Sequence, residues 1–322
     1  FATTALVATA GVAMADVAIS GYAEMGIAGG SDNAANDTAG VTQFFQDIDV
    51  TFTMSGTSDN GLTFGASVDI DETAAGTNSF DDNGTTVFIS GDFGTLTMGD
   101  TDGAFDWALT EANIGSPGSI DDSETLHAGY SGNSGLDGTY DGQVLRYDYS
   151  MAGFGAALSV EMDDTVDGGD PAYGLGAKYS GDIAGGSYGI GIGYQTVNDT
   201  DGATVGDQGT DVIGFSASVS LDSGLSAALN YSQIDGTGTD ADEDGVHMAI
   251  GASYTFDAIT VHANYGSYDW DDAATTPDSS GYGLAAAYDL GGGLSAHLGY
   301  GYSDNDGIDD ESSWSLGLAM SF

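Results

Sequence analysis

The chain has 322 residues and carries 50 Asp and Glu against 2 Lys and Arg, a formal net charge of −48. That balance leaves no basic surface for nucleic acid, whose phosphates call for Lys and Arg, and the lack of cysteine removes disulfides, thiol catalysis and Cys-ligated zinc. With 53 Gly and only 7 Glu among the acids, long helices are disfavoured, whereas 41% hydrophobic and 10% aromatic residues are too many for a disordered chain.

Residues 1–15 (FATTALVATAGVAMA) are uncharged, small and apolar and end in Ala13-Met14-Ala15. They read as the end of a secretory signal closing on an A-x-A cleavage site, which leaves 16–322 as the folded unit. No later stretch approaches the ~18 consecutive apolar residues of a transmembrane helix. From Asp16 onward, apolar and small or polar residues alternate with a period of two, the pattern of strands with two unlike faces. Ile48, Val50, Phe52 and Met54 share a face against Asp47, Asp49, Thr51 and Thr53. At the end of the chain, Trp314, Leu316, Leu318, Met320 and Phe322 oppose Ser313, Ser315, Gly317, Ala319 and Ser321.

The connections alternate as well. Tight turns fall at 58–61, 92–94, 152–153, 182–185, 222–224, 257–258 and 291–293, most with the Asp, Asn or Gly of short hairpins. Between them lie longer Asp/Gly/Thr/Asn-rich stretches near 29–43, 74–83, 102–138, 163–170, 198–208, 236–245, 270–279 and 303–311. Fifteen connections give sixteen strands, and the even count puts both termini of the barrel chain at the short-turn side. The expected fold is all-β, a single antiparallel β-barrel of about sixteen strands.

A soluble sandwich would alternate too, with its apolar faces turned on each other. Against it, the opposite face is mainly Gly, Ser, Thr, Ala and Asp, without the Lys and Arg that solubilise a surface. Aromatics also gather near strand ends on the apolar face: Tyr147, Tyr149, Tyr173, Tyr179, Tyr188, Tyr194, Tyr254, Phe256, Tyr282, Tyr288, Tyr300 and Tyr302. Rings with a wet hydroxyl belong at membrane interfaces.

The stretches DVAISGYAEMG (16–26), VTFTMSGTSDNGLTFGASV (50–68), TVFISGDFGTLTMGD (86–100) and YGLAAAYDLGGG (282–293), with the closing alternation to Phe322, resemble the general diffusion porins of alphaproteobacterial outer membranes, of the Rhodobacter and Roseobacter kind. The resemblance implies a homotrimer in outer-membrane lipid and lipopolysaccharide that passes small hydrophilic solutes and ions and requires no cofactor. It also implies that the third long connection, about 101–139, folds into the lumen, although the sequence alone allows an external loop equally. On that analogy Asp102, Asp106, Glu111, Asp121, Asp122 and Glu124 line a constriction. Wall positions where relatives often carry Arg or Lys hold Asp47, Asp49, Asp69 and Asp71. Arg146 and Lys178, the only two basic residues, share the lumen-facing phase of their strands. A lumen ringed by carboxylates concentrates cations and repels anions, so the expected pore is cation-selective.

Motifs for chemistry are weak. Gly185-Gly186-Ser187-Tyr188-Gly189 has the letters of a nucleophile elbow but follows a hairpin turn and opens a strand, where that motif needs a helix. His127, His247, His262 and His297 stand alone in their segments, three of them in the lumen phase, as solvated lumen residues. No enzyme activity is expected. Asp240, Asp242, Asp244 and Gly245 reproduce the first half of an EF-hand loop, but the closing Glu position is Gly251, so calcium is a candidate for a weak external site only. The rival reading is a non-channel, acidic, calcium-binding surface or adhesin β-protein of a halophilic or marine bacterium.

Overall fold

The computed structural model describes residues 16–31, 40–72, 80–81, 84–122, 125–140, 142–163, 169–198, 208–238, 244–271, 277–306 and 310–322. The alternating segments form strands β1 (Asp16–Gly30), β2 (Gln43–Thr57), β3 (Thr63–Glu72), β4 (Phe80–Asp81), β5 (Thr86–Gly91) and β6 (Gly94–Asp100). A short helix, α1 (Ala104–Ala108), follows in the third long connection. Then come β7 (Gln143–Met151), β8 (Phe154–Glu161), β9 (Ala172–Ile183), β10 (Gly186–Val197), β11 (Gln208–Leu221) and β12 (Leu225–Gly238). The last are β13 (Gly245–Phe256), β14 (Ile259–Trp270), β15 (Ser279–Gly291), β16 (Leu294–Asn305) and β17 (Glu311–Ser321).

All pairings are antiparallel between sequence neighbours, and β17 returns to β1 from Tyr22↔Ser321 to Gly30↔Ser313, which closes the sheet. β4 and β5 both pair with β3, at Glu72↔Phe80 and Thr63↔Ser90, and make one broken stave. The barrel therefore has sixteen staves. β4 lies inside the stretch expected as a connection (74–83), and after it Gly84 adopts φ +89 and donates its N–H to Asp100 Oδ2 at 2.6 Å, so that the second part of the stave starts only at Thr86. Closure answers the demand of a lipid environment that every backbone N–H and C=O find a partner within the protein.

All seven expected tight turns lie on one rim and the longer connections on the other. At Ala152-Gly153 the backbone takes φ +53 and +83, the left-handed pair that suits a two-residue hairpin. The large apolar side chains point outward: Phe44 is 90% exposed, Met151 66% and Ile250 59%. Rings mark both rims of this apolar band, with Tyr254 stacked on Phe256 at 5.7 Å near the short turns and Tyr282 stacked on Tyr302 at 5.4 Å near the long ones. The packed core is inside the barrel, where Phe105 and Leu109 of the third connection close on Val212, with Leu136 and Ile234 against them. Burying Phe105 alone contributes about 2–3 kcal/mol to seating that connection.

Candidate pore constriction

The third connection runs from 101 to 142 and folds into the barrel. Its far end is three residues beyond the expected bound because Glu161 on β8 gathers the amides of Gly138 (3.0 Å), Tyr140 (3.1 Å) and Gly142 (2.9 Å). The outgoing limb passes α1 along β8, β9 and β10. Ser159 accepts the Ala104 amide, Ser216 accepts the Thr110 amide, and Ile120 ends against Gly26 of β1 and Gly317 of β17. The returning limb runs back through Thr125, whose carbonyl takes Asn264 Nδ2 at 3.0 Å, and Gly129, whose carbonyl takes His247 Nε2 at 3.1 Å. It ends at Leu136 and Asp137, both held by Gln195. Glycine makes this contact close: a Cβ at Gly251 would collide with the Ala112 carbonyl, and one at Gly176 with that of Ala104. The connection thus covers the inner wall from β7 round to β1 and leaves the wall of β2, β3, β5 and β6 open to the lumen.

Acids stand on both sides of that lumen. On the loop, Asp102 is exposed and Asp106 is half-buried in α1. Burial first, then the Asp102, Glu111 and Asp137 carboxylates, push Asp106 from 3.8 to about 8, with Arg146 pulling the other way. Asp137 is raised to about 6, mainly by burial, although the Gly103 amide and Gln195 favour its charged form. Glu111 accepts the Tyr130 hydroxyl and so ties one limb of the loop to the other. On the open wall, Asp47 and Asp49 of β2 and Asp69 of β3 face inward, with Thr51 donating to Asp69 Oδ1 at 3.0 Å. The two sides meet at Asp122: burial away from water, then the Asp121 and Asp47 carboxylates, raise its pKa, with His297 pulling the other way.

Several expected residues behave differently from the sequence reading. Asp121 is 9% exposed, buried within the loop's own packing instead of lining open space. Arg146 and Lys178 are on the lumen wall as expected but are committed to the loop. Arg146 pairs with Asp148 at 3.3 Å and donates to Thr101 Oγ1 and the Asp102 carbonyl. Lys178 donates to the Trp107 carbonyl at 2.6 Å, with its Nζ 3.6 Å from the centre of the Trp107 ring. The histidines face inward without being wet: His127, His247, His262 and His297 are each at most 6% exposed, in the seam between loop and wall. Burial lowers His127 from 6.5 to about 4. Glu124, Asp240 and Asp242 and the side chain of Asp71 lie outside the described residues, while Asp244 accepts the Gly236 amide at 2.9 Å. Sequence reasoning passed over Glu161, Gln195, Asp137 and Asp148. For Glu161 and Gln195 the available signal was a lone long polar side chain in the lumen phase of a strand whose other lumen positions are mostly Gly, Ala and Ser; Asp137, in the connection, and Asp148 carried none.

A closed barrel with an apolar outer face, aromatic rims and a loop seated on its polar inner wall defines a channel-forming protein of the outer membrane. The comparisons narrow this further. A sequence profile described as Gram-negative porin matches residues 2–308, and the chain belongs to that family. It is 31% identical over 326 residues to a porin of Rhodobacter capsulatus, covering 95% of this chain and 100% of that one. A porin structure refined at 1.8 Å superposes with a TM-score of 0.70 at 26% identity, covering 95% of this chain and all of the other. A variant of Rh. blastica porin has the same fold, with a TM-score of 0.66 at 20% identity and the same coverage. The protein is an outer-membrane porin.

Proposed function

We propose that this porin is a cation-selective diffusion channel for small hydrophilic solutes and ions, without a catalytic step, whose narrow point is set by residues 101–142. The observation that carries the reading is the pairing of loop acids with wall acids, Asp122 against Asp47 above all, while Arg146 and Lys178 spend donors on loop carbonyls. Asp102, Asp106, Glu111 and Asp122 form one side of the constriction and Asp47, Asp49, Asp69 and Asp71 the other, with Glu124 on the loop side. A confined, weakly screened ring of this sign raises the local cation concentration and repels anions. Deletion of residues 104–120 tests the loop's role: single-channel conductance should rise, and an unchanged conductance and solute size limit would refute it.

The assembly we propose is a homotrimer seated in lipid and lipopolysaccharide, exported by a signal whose cleavage exposes Asp16 as the amino terminus. Crosslinking in outer membranes that yields only monomers, or a mature terminus elsewhere, would overturn these points. Calcium is proposed as a weak ligand of Asp240, Asp242 and Asp244. Calcium titration by calorimetry should lose its heat in the triple Asp→Asn variant; equal heat in both would reject the site.

A further inference from the structure

The short-turn side of α1 roofs a cavity of about 370 Å³ inside the barrel, lined by Trp107, Lys178, Ser150, Ser180, Ser187 and Ser218, with Thr110 at its edge. In a chain with 50 acids, its lining contains no carboxylate. The four serines come from four strands, β7, β9, β10 and β11, and their hydroxyls make no hydrogen bonds with one another or with other described residues. Each can both donate and accept. Lys178 keeps donors beyond the one given to the Trp107 carbonyl, since an ammonium has three. Two glycines keep the space open. A side chain at Gly155 would strike the Trp107 ring, and one at Gly189 would meet only Ser218 Oγ.

We propose that this cavity is a binding subsite for one small uncharged polyhydroxylated solute, of monosaccharide size, just past the constriction. Its volume lies within the range of ligand pockets, about 300–1,000 Å³. Converging hydroxyls and an ammonium match the donor and acceptor rim of a polyol, and the indole offers an apolar edge. An uncharged solute is selected because it passes the carboxylate ring without repulsion, whereas an anion that Lys178 could also hold is excluded upstream. The subsite rests on the channel reading above, so the test separates the two.

Glucose is added to the porin in planar bilayers under KCl, with gluconate as the anionic probe. The expected result is a saturable fall in conductance with glucose and little with gluconate. The half-blocking concentration should rise about tenfold when Ser187→Ala and Ser218→Ala are combined, at about one hydrogen bond each. Gly189→Val should intrude on the cavity beside Ser218 and abolish saturation, with sugar-free conductance unchanged in both variants. A decline that only tracks viscosity, a block equal in all variants, or gluconate blocking as well as glucose would overturn the proposal. A protein that conducts nothing would sink the channel reading alone. Saturable glucose quenching of tryptophan fluorescence, present in the parent and absent in Trp107→Phe and Gly189→Val, still decides the subsite, and no quenching rejects it.

Discussion

At the scale of single residues, the carboxylates are not equivalent. Burial of Asp106 in α1, and then the nearby Asp102, Glu111 and Asp137 carboxylates, raise its pKa from 3.8 to about 8. Seating the loop therefore binds a proton at Asp106. That contribution to docking is fully present below pH 3.8 and is lost as pH rises through about 8. Raising the pH from 6 to 9 should both charge the constriction and loosen the loop, so cation preference increases over that window. Asp106→Asn should flatten the increase; reversal potentials that still climb to the same degree in the variant would assign the titration elsewhere. Arg146 gives a second prediction. Arg146→Glu removes the donors to Thr101 and Asp102 and adds a charge, so cation preference should strengthen and the loop near 102–110 should become open to protease. An unchanged reversal potential would place Arg146 away from the narrow point. The lumen phase of both basic residues was legible in the strand alternation. Their capture by loop carbonyls was not, because it depends on where a 42-residue connection lands and not on any local pattern.

At the scale of elements, strands and turns were legible because a period of two leaves little freedom: a one-residue slip would turn every apolar side chain from lipid to lumen. The tight turns carried their own residues, as at Ala152-Gly153. What stayed hidden was the hairpin path of the third connection and the break between β4 and β5. Both are set by contacts remote in sequence, such as Glu161 to Gly138 and Asp100 to Gly84. The histidines illustrate the same limit: the inward phase of His247, His262 and His297 on their strands was readable, but the loop that buries them, and that itself carries His127, was not. The fit between loop and wall is tight enough to test. Gly251→Val would place a branched side chain where the Ala112 carbonyl rests, at a local cost of about 1–3 kcal/mol, and should lift the loop from the wall while leaving the staves intact. Larger, noisier single-channel conductance with an unchanged far-ultraviolet spectrum is the expected result. Wild-type conductance would mean that the loop is held elsewhere.

At the scale of the whole molecule, a chain with this charge folds into a wall that turns its apolar residues to lipid and most of its acids to an enclosed lumen or to loops. Sixteen staves without a free edge should make the barrel run compact on gels until heated; identical migration of boiled and unboiled samples would count against closure. The central claim is the sign of the pore, and the reversal potential across a KCl gradient in planar bilayers tests it most directly. The predicted result is a potential of the sign set by potassium permeation, larger in dilute salt and shrinking as the Debye length falls below ~8 Å. A potential near zero, or one of the sign set by chloride, would contradict the account.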